Sequence, residues 1–172
     1  MAFIFQYGSN MSTERLNSVE RLNGDASIVG VAKTEQRFEV SFNVWSKTNN
    51  CAAASLETVE NGVHIYGVVY NVPDYLISRD TSLVAHRKSM DQIEGEGNNY
   101  YRTSIALLMH DGRPLTALTY LAKTPKTNIK TSQAYAQHIM VGLSEHKMPA
   151  DYREYIKTRI VLSQPNLSDV FV

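Results

Sequence analysis

The sequence predicts an α+β fold, a small, mostly antiparallel curved sheet or barrel with helices at its periphery. Three observations lead there. Segments with the aromatic and β-branched content of strands come in contiguous groups, about seven in all. Helical patterns stand at the start, middle and end of the chain, so the crossover between successive strands that a parallel sheet needs is missing. The chain has 172 residues, 43% hydrophobic and 20% charged, which suits one compact domain over 1–172 with a tail from 163 onward.

Each element follows from local chemistry. Phe3-Ile4-Phe5-Gln6-Tyr7 reads as a strand that Gly8-Ser9-Asn10 stops with three turn-favouring residues. Leu16, Val19 and Leu22 lie three apart and predict a helix that Asn23-Gly24 ends. Ile28 to Ala32, the alternating Phe38-Val40-Phe42-Val44, Cys51 to Leu56 and Val63 to Val72 read as strands. Leu83, Arg87, Met90 and Ile93 mark a helical face, so a helix is expected from about Thr81 to Glu94, terminated by Gly95. Thr103 to Met109 and Leu115 to Leu121 flank His110-Asp111-Gly112-Arg113, where Asp-Gly supplies the positive φ of a tight hairpin. Tyr135, Ile139 and Leu143, then Tyr152, Ile156 and Ile160 after Pro149, mark two closing helices.

Composition excludes several classes of function. Lys and Arg total 17, as do Asp and Glu, so no bulk field gathers nucleic acid or an anionic membrane, and any binding site must be local. Lys123, Lys126 and Lys130 lack interleaved aromatics and read as a solvated connection, so no nucleic-acid partner is expected. Cys51 is the single cysteine, which rules out an intrachain disulfide, and the five histidines form no His-x-x-x-His pair, so no metal is expected. The apolar runs Ala2 to Phe5 and Ile105 to Met109 fall far short of the ~18 residues of a spanning helix, which predicts no membrane partner and a cytoplasmic location.

Three features carry candidate chemistry. Tyr7-Gly8-Ser9-Asn10-Met11 ends a strand in small polar residues just before a helix, where exposed N–H groups and the helix dipole suit a carboxylate or a developing oxyanion. The plainer reading is a turn with Ser9 or Asn10 as N-cap, and Ser9 lacks any nucleophile signature. Asp91, Glu94 and Glu96 place three carboxylates within six residues of a helix end. The dipole and the nearby Asp91 charge are expected to raise Glu94, and partial burial would bring it toward neutrality, where a carboxyl both takes and returns a proton; the plainer reading is a solvated acidic helix end. The ten tyrosines offer apolar walls with polar tips, two or three of which suit a pocket.

In their order and spacing these pieces resemble the γ-glutamylcyclotransferase family over nearly the whole chain. The resemblance rests on Tyr-Gly-Ser-Asn-Met followed by Thr13-Glu14-Arg15, on Gly67-Val68-Val69-Tyr70, and on Met90-Asp91-x-x-Glu94-Gly95 with Tyr101 seven residues past the Glu. Thr119-Tyr120-Leu121 and Met148-Pro149-x-x-Tyr152 complete it. It implies a mixed β-barrel with peripheral helices and a cofactor-free enzyme of the amine-lyase or acyltransferase type. Such an enzyme cleaves γ-glutamyl amides to 5-oxoproline and a free amine or amino acid without a covalent intermediate. It implies Glu94 as general acid/base, with Tyr7, Gly8, Ser9, Asn10, Met11, Tyr101 and Tyr120 binding the γ-glutamyl substrate. Gln6 and Glu96 depart from the family pattern, and Glu96 leaves open which carboxylate carries the proton. A non-catalytic binding module on the same fold is the alternative.

Overall fold

A computed structural model describes residues 1–79 and 87–171. Its strands are β1 (Ala2–Gln6), β2 (Ser27–Ser46), β3 (Cys51–Glu57), β4 (Val63–Val72), β5 (Tyr100–Met109) and β6 (Pro114–Ala122). Its helices are α1 (Thr13–Leu16), α2 (Met90–Glu94), α3 (Gln133–Glu145) and α4 (Ala150–Ser163), with short 3-10 turns that include Ser9–Met11. β4 pairs antiparallel with both β1 and β2, β5 pairs antiparallel with β6, and β1 lies parallel to β6 with Ile4 opposite Leu118. Ala32 to Thr34 of β2 then pair with Leu107 to Met109 of β5 and close a five-strand barrel. The mixed, mostly antiparallel barrel with peripheral helices is therefore the observed fold.

β2 explains the one excess strand in the sequence reading. The segments around Ile28–Ala32 and Phe38–Val44 are halves of a single 20-residue strand that bends at irregularities between Ile28 and Gly30 and between Lys33 and Arg37. Such bulges let one strand serve three neighbours, here β4 and β5 in its first half and β3 in its second. Past Phe38, where β4 leaves off, α4 takes the open edge. Val40 N–H donates to the Tyr155 hydroxyl at 3.0 Å, and Arg159 Nε donates to the Val40 carbonyl at 2.7 Å.

Two helical expectations are corrected. The first helix stops at Leu16, and Val19 is exposed, because the chain turns at Asn17, whose side chain bonds both backbone groups of Ala26. The helix expected from Thr81 begins only at Met90. Arg87 to Ser89 are not helical, Ser89 closes a capping box with Gln92, and residues 81–86 lie outside the described residues. Gly95 ends α2 at φ 68°, as the sequence predicts. After α4, Leu167 and Phe171 are buried against the core rather than hanging free.

The core fills the barrel and its helix-covered side. Phe5, Ile65 and Leu107 from strands meet Leu16, Met90, Ile139 and Leu143 from helices, all essentially inaccessible. On α3 the buried set Tyr135, Ala136, Ile139, Gly142 and Leu143 keeps helical spacing, and each large apolar side chain there stabilises the fold by about 1.5–3 kcal/mol. That face lies over the Ser9–Met11 turn. A Cβ on Gly142 would stand 2.7 Å from the Met11 Cβ, so glycine is what permits helix and turn to touch.

Candidate active site

β1 delivers Tyr7 and the following turn to the barrel mouth, and α2 delivers Glu94 across from it. Asn10 Nδ2 donates to Glu94 Oε1 at 2.9 Å, joining segments 84 residues apart in sequence. Gln6, buried at the end of β1, lines the same cavity and helps hold this carboxyl's pKa down. The turn is short. Its first hydrogen bond runs from Met11 N–H to the Gly8 carbonyl at 3.0 Å, so the N–H groups of Ser9 and Asn10 precede it, as the first donors of any helical turn do. With three residues here and four in α1, dipole assistance is slight, and any attraction for an anion there would have to come from these donors.

Behind the turn, Tyr70 and His146 hold the Met11 carbonyl, the Tyr70 hydroxyl at 2.8 Å and His146 Nε2 at 2.9 Å. Met11 itself is fully buried under α3 and lines no part of the site. Gly8 lies within 4 Å of Tyr135 and Ala54 when a Cβ is placed on it, so the turn is packed from both sides.

The site has an inner cavity of about 30 Å³ lined by the Tyr7–Asn10 segment, Gln6, Ala54, Glu94, Thr119 and the tyrosines 100, 120 and 135. It adjoins an outer cleft of about 400 Å³, with which it shares Ser9, Asn10, Glu94, Tyr100 and Tyr135. Glu94 thus stands at the junction. Burial raises its carboxyl above the usual carboxylate range, while the Asn10 hydrogen bond, the Arg21 charge, Gln6 and Arg15 oppose that rise. Burial also pushes the Tyr7 and Tyr100 phenols well above their ordinary value, with the Glu94 charge adding to both, so these walls stay neutral.

The expected cause of the Glu94 shift is corrected. Asp91 is buried beneath the site and is matched by Arg102, whose Nη1 lies 2.9 Å from both carboxylate oxygens. Tyr120 donates its hydroxyl to Asp91 Oδ1 at 2.8 Å. Asp91 therefore ties α2 to β5 and β6, and burial takes the role that the sequence reading gave to its charge. Glu96 stays outside both cavities, its backbone in an isolated bridge with Tyr100.

Tyr7, Gly8, Ser9, Asn10, Tyr120 and Glu94 are brought together as the sequence suggests. Tyr101 is not. It is 43% exposed on the outer face of β5, and Tyr100 turns inward instead, its hydroxyl donating to the Ala54 carbonyl at 2.6 Å. Tyr135 is the second tyrosine the sequence reading missed; it accepts from Ala54 N–H at 3.1 Å and lines the cavity with Ser9. Its helical spacing with Ile139 and Leu143 carried only the message of core packing. Among the described residues no three His, Cys, Asp or Glu side chains are grouped to hold a metal ion. Nor is any helix among them long and apolar enough to cross a membrane.

Comparison with known proteins gives a consistent set of similarities. A family described as gamma-glutamyl cyclotransferase, AIG2-like matches residues 4–138. An uncharacterized protein from Homo sapiens is 25% identical with a TM-score of 0.74, over 91% of this chain and 86% of that one. A structure named gamma-glutamyl cyclotransferase is 25% identical with a TM-score of 0.73 over the same shares. YkqA from Bacillus subtilis shares the fold at 21% identity and TM-score 0.71, over 92% of this chain but 54% of its own length. No curated protein sequence matches.

Proposed function

Since the chain belongs to the gamma-glutamyl cyclotransferase, AIG2-like family, we propose that it cleaves γ-glutamyl amides by intramolecular cyclisation. The substrate's α-amine attacks its own γ-carbonyl carbon, the new C–N bond closes a five-membered ring, and the original amide C–N bond breaks. The products are 5-oxoproline and a free amine. Because nucleophile and electrophile share one molecule, the protein has to fold the substrate and move protons rather than supply a nucleophile.

One observation carries this reading: a carboxyl raised by burial stands where the inner cavity meets the outer cleft, held by the turn that would bind the substrate. The γ-glutamyl group would occupy the inner cavity and the adjoining part of the cleft. Glu94 would take a proton from the α-ammonium and return it to the departing nitrogen, a cycle that a carboxyl with a raised pKa performs near neutral pH. The N–H groups of Ser9 and Asn10 would stabilise the oxyanion formed at the attacked carbonyl. Asn10 Oδ1 is buried without a partner, an acceptor the substrate's ammonium would satisfy. The proposed substrate is a small molecule, and no step calls for a cofactor.

The test is mass spectrometry of products from a panel of γ-glutamyl amides, with Glu94→Gln as control. The change is nearly isosteric and removes only proton transfer, so 5-oxoproline formation is expected to fall by roughly 10²–10⁴-fold in a folded variant. Equal rates in the two proteins would refute the assignment of Glu94, free glutamate would identify a hydrolase, and no product at all would favour a binding module.

A further inference from the structure

Thr13, Tyr70, Glu145 and His146 lie outside both cavities and grip the backbone that follows the Ser9 and Asn10 donors. The carbonyl at the centre of this cluster fixes the direction of each bond. The Met11 oxygen can only accept, so the Tyr70 hydroxyl at 2.8 Å and His146 Nε2 at 2.9 Å both donate to it and use its two lone pairs. With its own proton spent there, the Tyr70 oxygen accepts from Thr13 Oγ1 at 2.9 Å. Glu145 completes the cluster: its Oε2 accepts from Thr13 N–H at 3.1 Å, and its Oε1 stands 3.6 Å from His146 Nε2.

Packing holds the imidazole on one side only. It meets Tyr70 edge-on, with ring centroids 6.4 Å apart at 88°, but it also borders a cleft of about 490 Å³ that shares no residue with the two cavities at Glu94. Its place therefore depends on its polar bonds. Nε2 keeps its hydrogen whether the ring is neutral or charged, so protonation of His146 leaves the bond to Met11 intact.

We propose that His146, backed by Tyr70 and Thr13, is a positioning residue for the cyclisation: it holds the Met11 carbonyl so that the neighbouring Ser9 and Asn10 donors, and the Asn10 bond to Glu94, stay in place. The assignment rests on the proposed roles of that turn and of Glu94. It also has a signature at a distance. The Asn10 bond opposes the rise that burial imposes on the Glu94 carboxyl, so a turn released from His146 lets that carboxyl titrate at higher pH. Arg15, Arg21 and Gln6, which act on the same carboxyl, are left unaltered by changes at His146.

The experiment compares wild type with His146→Leu, which loses the donor, and with His146→Gln, whose side-chain amide carries an N–H donor to a similar reach. Turnover is read as kcat and KM on a γ-glutamyl amide, folding by circular dichroism, and the Glu94 titration by carboxyl-carbon NMR without substrate. In His146→Leu, kcat is expected to fall by roughly 10-fold to 100-fold while KM stays within about threefold. The Glu94 titration and the acidic limb of kcat/KM should both move to higher pH. His146→Gln should recover most of each change. Should His146→Leu unfold, Thr13→Val, which removes the half-buried hydroxyl that supports Tyr70, is expected to move kcat and the titration in the same directions by less.

An unchanged kcat and an unmoved Glu94 titration in folded His146→Leu would overturn the assignment. So would a loss that glutamine fails to restore, or one that follows the unfolded fraction, since either describes a residue that only packs. A displaced Glu94 titration in a protein that makes no 5-oxoproline would keep His146 as the residue that places Asn10 and refute the cyclisation reading. Formation of 5-oxoproline by wild type and His146→Leu at equal rates would do the reverse.

Discussion

Gly142→Ala separates the role of α3 as a packing element from its role as the floor of the Ser9–Met11 turn. The added Cβ would lie 2.7 Å from the Met11 Cβ and 2.9 Å from the Ser12 backbone nitrogen. Ordinary carbon contacts begin near about 3.5 Å, so helix and turn must part by about 0.8 Å. Neither neighbour is the tip of a flexible side chain, so the strain falls on backbone. Overpacking of this kind costs about 1–3 kcal/mol, and the better helix propensity of alanine returns about 1 kcal/mol, leaving a net loss of about 0–2 kcal/mol. In a chain of this size that lowers Tm by up to roughly 8 °C. The effect on turnover should be larger than stability alone explains. The moved turn carries the Ser9 and Asn10 donors and the Asn10 bond to Glu94, and a misplacement near 1 Å costs roughly 10²-fold. The assay is kcat/KM on whichever γ-glutamyl amide is turned over, with thermal melting alongside and Val141→Ala, an exposed neighbour on the same helix, as control. Wild-type kcat/KM in Gly142→Ala would refute the claim that α3 sets the turn's position. An activity loss matched by the fraction unfolded would show the effect to be one of stability alone.

The remaining predictions concern single groups. Because burial holds the Glu94 carboxyl above its ordinary value, the folded state binds that proton more tightly than the unfolded chain does. Its contribution to stability therefore declines as pH rises from about 4.3 and stays fully unfavourable above the raised folded value. Melting of Glu94→Gln against wild type at pH 4 and pH 8 should show the variant gaining relative stability at the higher pH, and a constant difference would contradict the burial argument. Arg102→Met leaves the buried Asp91 charge unmatched and should cost about 3 kcal/mol at neutral pH, seen as a Tm drop of roughly 6–12 °C. An unchanged Tm at neutral pH would count against that pair's role. Tyr100→Phe removes a 2.6 Å bond to Ala54 inside the cavity, whereas Tyr101→Phe alters an exposed hydroxyl. Steady-state kinetics should show the first variant impaired and the second near wild type, and the opposite order would restore Tyr101 to the site.

Much of the architecture is local and so was readable in advance. The hairpin at His110–Arg113, the glycine that ends α2 and the apolar faces of α3 and α4 depend on φ preferences and on 3.6-residue spacing, which short windows of sequence contain. The Tyr7–Asn10 turn and Glu94 stand out for the same reason, one a strand end in small polar residues and the other the last residue of a capped helix. The failures were at places where a distant neighbour overrides a local preference. The helical spacing of Leu16, Val19 and Leu22 lost to Asn17, whose side chain ties down Ala26. Ile105, Leu107 and Met109 are buried at odd positions of β5, and alternation carried back along the strand would turn Tyr101 inward, yet Tyr100 is the inward residue.

The sequence by itself determined most element types, the cluster of acids at a helix end and the small polar turn after the first strand, because each follows from the conformational and ionic chemistry of a few adjacent residues. Tertiary structure decided which of these groups meet. Closing β2 onto β5 brings Asn10 to Glu94 across 84 residues, matches Asp91 with Arg102 and leaves Arg15 and Arg21 in a common cleft. The Glu94 shift likewise comes from burial, which is a property of the closed barrel and its covering helices, and no window of sequence contains it.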